Sequence, residues 1–222
     1  MAHKPLDGTR LEALSGKTDS LVILLHGYGA NGDDLIDLGK QWAPQFVNTS
    51  FVSVNAPEPC AISPTGLQWF PLTHNPGGMR SPEEYWQGVC HSEEVLQAFI
   101  DSELAKYGID ETSCVLVGFS QGTMMALHVG LRRKKSFAGI IAYSGVLAGS
   151  EKLDTSIKVK PPVLLVHGEA DPVIPVEALS LAKEALRTID IDPEWHIVDG
   201  LGHGIDGLGF QLGYNFLKRV LR

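Results

Sequence analysis

Short apolar runs alternate with amphipathic stretches along most of the chain. Leu21–Leu25, Cys114–Val117, Phe137–Tyr143 and Val163–Val166 contain almost no polar residue. Unbroken runs of this length suit strands covered on both faces, the condition of a parallel sheet flanked by helices. Ser50–Val54 and Glu194–Val198 complete the predicted strands. Between them lie helical patterns. Asp33–Trp42 carries Leu35, Ile36, Leu38 and Trp42 at helical spacing. Ser81-Pro82-Glu83-Glu84 is a helix start, with serine as N-cap, proline at the first position and glutamate at the third. Tyr85, Val89, Leu96, Phe99, Ile100 and Tyr107 then follow roughly one face until Gly108. Val176–Ile189 and Leu208–Leu221 read as two further amphipathic helices. Strands alternating with helices predict an α/β fold with a mostly parallel central sheet and helices on both faces.

The chain has 222 residues and neither an internal repeat nor a low-complexity linker, so one domain over 1–222 is expected. One segment breaks the pattern. Six of the 13 prolines fall between Pro57 and Pro82, and the stretch 55–81 has no regular periodicity. A loop of that length is often functional. Trp69 and Phe70 within it would be costly to leave in water, so they either plug the core or wall a substrate pocket.

Composition narrows the function. A net charge of −8 opposes nucleic-acid binding and offers no basic footprint to an anionic membrane. Arg132-Arg133-Lys134-Lys135 falls at a predicted helix end, where cations offset the helix dipole. No run approaches the roughly 18 apolar residues of a membrane span, so stable membrane insertion is not expected. Cys60, Cys90 and Cys114 are odd in number and widely spaced, without a zinc pattern. They read as free thiols in a reducing compartment, hence a cytoplasmic expectation. Met124 and Met125 read as core filling.

The candidate chemistry starts at Gly118-Phe119-Ser120-Gln121-Gly122, between the strand Cys114–Val117 and a small-residue helix. A serine on such an elbow has its hydroxyl exposed, and flanking glycines allow the strained turn. The hydroxyl needs a base, and the base needs an orienting acid. In open α/β sheets these groups gather beyond the C-terminal strand ends. Two carboxylates leave the strand Val163–Val166, Glu169 and Asp171; Asp171 is favoured because Pro172 fixes a turn there. Of eight histidines, His203 lies in a glycine-rich loop directly past Val198 and is the expected base. His26 and His167 end strands and are expected to make supporting hydrogen bonds. Expected oxyanion donors are the backbone N–H groups of Gln121, after the nucleophile, and of Tyr28, in His26-Gly27-Tyr28-Gly29.

These pieces resemble the phospholipase/carboxylesterase family of small α/β-hydrolases. The resemblance rests on Leu25–Leu35, Asn55-Ala56-Pro57, Trp69-Phe70, Gly118–Gly122, His167-Gly168 with Asp171–Pro175, and Gly202-His203, and so spans nearly the whole chain. It implies a Ser120, Asp171, His203 triad with Tyr28 and Gln121 as oxyanion donors. Position 28 is commonly leucine in relatives, but a backbone donor survives that change. The implied activity is hydrolysis of carboxylic esters of short to medium acyl chains, with lysophospholipids or protein S-acyl thioesters as alternatives. The family uses no cofactor or metal and often forms homodimers. A non-catalytic ligand-binding protein on the same fold is the rival from another class, opposed by the ordered triad.

Overall fold

The computed structural model describes residues 5–72, 81–153 and 157–221. The apolar runs become the interior of a seven-stranded sheet. Its strands are β1 (Gly8–Leu11), β2 (Ser20–Leu25), β3 (Thr49–Val54), β6 (Cys114–Phe119), β7 (Gly139–Tyr143), β8 (Val163–Gly168) and β9 (Glu194–Val198). They lie in the order β1-β3-β2-β6-β7-β8-β9, and all neighbours are parallel except β1 against β3. A two-residue pair, β4 (Glu58–Pro59) with β5 (Leu67–Gln68), sits apart in the irregular segment. The helices are α1 (Gly32–Trp42), α2 (Pro82–Tyr107), α3 (Gln121–Gly130), α4 (Glu177–Arg187) and α5 (Gly207–Val220).

The period-2 geometry of a strand explains why the inner runs are apolar throughout. Leu21, Ile23 and Leu25 face one layer, with α2, α3 and α4; Val22 and Leu24 face the other, with α1 and α5. The same sorting splits Leu116 from Val115 and Val117, and Leu165 from Leu164 and Val166. Two cores therefore share one sheet, and neither strand face can be polar. The helix starts follow the expected chemistry: Ser81 and Glu84 form a capping box on α2, Asn31 and Asp34 form one on α1, and left-handed Gly108 ends α2.

Edge strand β1 was not expected, and it holds little apolar signal to announce it. Within the irregular segment β4 and β5 pair across residues 58–68; residues 73–80 lie outside the described ones, and with them His74. No described helix is long and apolar enough to cross a membrane.

Helix α3 approaches the sheet closely at one point. A Cβ on Gly122 would lie 1.8 Å from the carbonyl oxygen of Leu25, the last residue of β2. We expect Gly122→Ala to destabilise the protein by about 3 kcal/mol or more, because backbone cannot yield as a side chain can. Urea unfolding measures this; a variant as stable as the wild type would show that α3 can slide on β2.

Candidate active site

Three strand ends bring the chemistry together. Ser120 follows β6 at φ 55° and ψ −115°, a conformation that a non-glycine residue holds only when its surroundings enforce it. Here they do. The Ser120 N–H donates to the Tyr143 carbonyl at 2.9 Å, and Thr123 Oγ1 donates to the carbonyls of Gly118 and Tyr143. Cβ atoms at Gly118 or Gly122 would collide with neighbouring backbone, so the flanking glycines are steric necessities.

Asp171 follows β8, with its carboxylate fully buried. Its Oδ1 accepts from the N–H groups of Val173 and Ile174, and Oδ2 accepts from His203 Nδ1 at 2.7 Å. Burial alone pushes this carboxyl up, but the hydrogen bonds from His203, Ile174 and Val173 outweigh it and hold Asp171 below the usual carboxylate range. Glu169, the other carboxylate at this strand exit, is exposed and accepts instead from Gly200 N–H, leaving the imidazole to Asp171. The two loops are locked together: Ala170 N–H donates to the Leu201 carbonyl, and a Cβ on Gly168 would strike the carbonyls of Leu201 and Gly202. His203 stacks at a tilt on Phe119, ring centroids 4.9 Å apart. Its Nδ1 is taken by Asp171, so Nε2 is the nitrogen left for proton transfer. Ser120 Oγ and His203 Nε2 are not hydrogen-bonded here; such contacts often tighten only with substrate.

His26 and His167 make the supporting bonds expected of them. His26 Nδ1–H donates to the Gly27 carbonyl and Nε2 accepts from Ala56 N–H, which fixes one tautomer; burial pushes its pKa down, so the ring stays neutral. His167 Nε2 reaches the Ile174 carbonyl at 2.9 Å and Asp171 Oδ2 at 3.3 Å. The loop after β2 is tied further by Gly29 N–H to the Leu67 carbonyl and Leu67 N–H to that of Ala30.

Trp69 and Phe70 are core residues, 0% and 1% exposed, rather than a wall open to substrate. The Trp69 indole N–H donates to the His26 carbonyl, so the ring buttresses the loop that carries Tyr28. The Gln121 side chain does a task that sequence reasoning missed. Its side-chain Oε1 accepts from Trp69 N–H at 2.8 Å and its Nε2 donates to the Phe70 carbonyl at 2.9 Å. One amide thus clamps the segment to the first turn of α3, whose opening N–H groups, Gln121 and Gly122, have no intrahelical acceptor.

An apolar cavity of about 240 Å³ lies instead between Tyr85 of α2, Val146 and Leu147 after β7, and Ile174, Pro175 and Leu181. It shares Val173 and Ile174 with the Asp171 turn, and Gly145, next to Val146, packs within 2.9 Å of the Ser120 carbonyl when a Cβ is placed on it. Among the described residues, Cys90, Glu93 and His128 also bring possible metal ligands within 4.8 Å of one another. They fit a metal poorly. His128 Nε2 is engaged by Glu93, while its buried Nδ1 has no partner to receive the proton that a ligating imidazole normally donates.

A profile of the phospholipase/carboxylesterase family matches residues 7–221. The chain belongs to that family. It is 30% identical over 213 residues to esterase YpfH of Escherichia coli K12, spanning 90% of this chain and 83% of the relative. It is 28% identical over 207 residues to acyl-protein thioesterase 1 of Schizosaccharomyces pombe, covering 90% of each. Among solved structures, esterase PE8 superposes with a TM-score of 0.94 at 42% identity, over 98% of this chain and 100% of that one.

Two outcomes test this architecture. Gln121→Leu should lose about 2 to 4 kcal/mol of stability in urea unfolding, since it strands a buried N–H and a buried carbonyl. Asp171 has a folded pKa below its unfolded value, so its contribution is present above about pH 3.9 and lost as pH falls through the lower folded value. Asp171→Asn should therefore flatten the acid limb of stability against pH; an unaltered limb would assign the acid sensitivity to other carboxylates.

Proposed function

We propose that the protein is a serine hydrolase of carboxylic esters, working through an acyl-enzyme on Ser120. The observation that carries this reading is the Asp171–His203 pair at 2.7 Å, held beside a strained serine elbow. His203 Nε2 takes the Ser120 proton as Oγ attacks the acyl carbon. Asp171 holds the imidazole in the required tautomer and favours its cation. The N–H groups of Tyr28 and Gln121 receive the oxyanion; a lost donor of this kind costs roughly 3 to 4 kcal/mol of transition-state stabilisation. His203 then protonates the leaving group and activates the water that releases the acid.

The relatives named as an esterase and as an acyl-protein thioesterase support ester or thioester substrates. The acyl chain occupies the cavity beside Ile174 and Val146, which suits short to medium chains and no polar acyl group. Trp69 and Phe70 act on substrate only through the loop they hold. A reducing, cytoplasmic setting suits the unpaired Cys60, Cys90 and Cys114. We propose a homodimer, as the family resemblance implies, and sedimentation velocity tests it.

Ser120→Ala should abolish hydrolysis of p-nitrophenyl butyrate and labelling by a fluorophosphonate while leaving the circular dichroism spectrum intact. Full activity in that variant would sink the assignment. Enlarging one cavity wall, with Leu181→Ala, should move the preferred p-nitrophenyl ester toward longer chains. An unaltered chain-length profile would remove the acyl chain from this cavity.

A further inference from the structure

A second cleft, of about 340 Å³, opens on the other side of the elbow. Phe119, Ile205, Leu35 and Leu38 give it an apolar surface, and Asp34 and Asp37 of α1 stand at its rim. It adjoins the reacting groups by contact. Phe119 stacks on His203, Gly204 and Ile205 continue the His203 loop, and a Cβ on Gly27 would lie 3.1 Å from Phe119 and 3.2 Å from Ser120 Cβ. We propose that this cleft receives the leaving group and selects alcohols or thiols that carry a positive charge.

The inference rests on the serine-hydrolase reading and deepens it. As the tetrahedral intermediate collapses, the bond from the acyl carbon to the leaving oxygen or sulfur breaks and His203 Nε2 gives its proton to that departing atom. Because Nδ1 is held by Asp171, the leaving group departs from the opposite edge of the ring. The Asp171 turn leads into the apolar cavity on the acyl side, while the residues after His203 lead into the second cleft.

Charge then decides what fits. Among the described lining residues the ionised side chains are Asp34 and Asp37, and His26 is held neutral by burial. Lys40 pairs with Asp37 at 2.7 Å but does not line the cleft, and it leaves Asp34 uncompensated by that contact. The N-terminus of α1 would ordinarily attract an anion. Here its donors are spent: Asn31 N–H goes to Asp34 Oδ2, Gly32 N–H to Asn55 Oδ1, Asp33 N–H to Asn31 Oδ1 and Asp34 N–H to the Asn31 carbonyl. A phosphate-bearing leaving group finds no cation among the lining residues and only the already paired Lys40 beside them, whereas a quaternary ammonium finds carboxylates over an apolar floor.

The test compares three butyrate esters of similar size. They are the choline ester, its neutral isostere 3,3-dimethylbutyl butyrate, and the anionic 2-sulfoethyl ester, each read as kcat/KM at low ionic strength. Two carboxylates at this range should favour the cation over the neutral isostere by about three- to tenfold, with the anion poorest and the spread shrinking in high salt. Asp37→Asn should narrow the cation-to-neutral ratio, and Asp37→Lys should invert it; taking a ratio within each variant cancels any general change in activity. Equal rates for cation and neutral isostere, or a ratio indifferent to both substitutions, would overturn the proposal while hydrolysis itself upholds the enzyme reading. Loss of all three activities together with p-nitrophenyl butyrate hydrolysis would instead overturn both.

Discussion

The approach of α3 to the end of β2 is the constraint from which the site follows. With no side chain on Gly122, the helix start comes within van der Waals reach of the Leu25 carbonyl. That single contact joins two pieces of chain far apart in sequence: the elbow that bends Ser120 and the loop that leaves β2 through His26. Were α3 to stand off by the width of a methyl group, Ser120 would relax from its positive φ and Gln121 would lose its reach to Trp69. The strain at Ser120 is therefore sustained by packing elsewhere, as backbone strain of this kind must be.

The remaining parts hang on this junction by hydrogen bonds that leave few buried groups unpaired. His26 ties the loop to Ala56, Trp69 ties it to the core, and Gln121 ties Trp69 back to α3. On the opposite side, Asp171 is surrounded by donors from its own turn and from His203, so its charge is stabilised before any substrate arrives. Preorganisation of that kind is what makes a buried carboxylate useful rather than costly.

Much of this was legible in the sequence, for physical reasons. The inner strands announce themselves because both faces are buried, and the positions of Ser120, Asp171 and His203 could be placed because each stands just beyond a strand that could be recognised. Edge strand β1 escaped because Gly8-Thr9-Arg10-Leu11 is half-buried and mostly polar. The apolar cavity escaped for a deeper reason: its walls come from α2, the segment after β7 and the residues around α4, and no local pattern records how three distant segments meet. Trp69 and Phe70 were ambiguous between core and pocket, since a large aromatic side chain in a loop has the same signature in both. Their burial, 0% and 1% exposed, comes from long-range packing that periodicity does not record.

That clamp has a bearing on how the fold diversifies. Because Gln121 grips the main chain at Trp69 and Phe70, the register of everything upstream is settled before the chain goes on toward α2. The grip is on main-chain atoms, so it holds the Tyr28 loop whichever side chains stand at those two positions. One amide so placed locks a register while leaving the identity of the residues it locks to the packing around them.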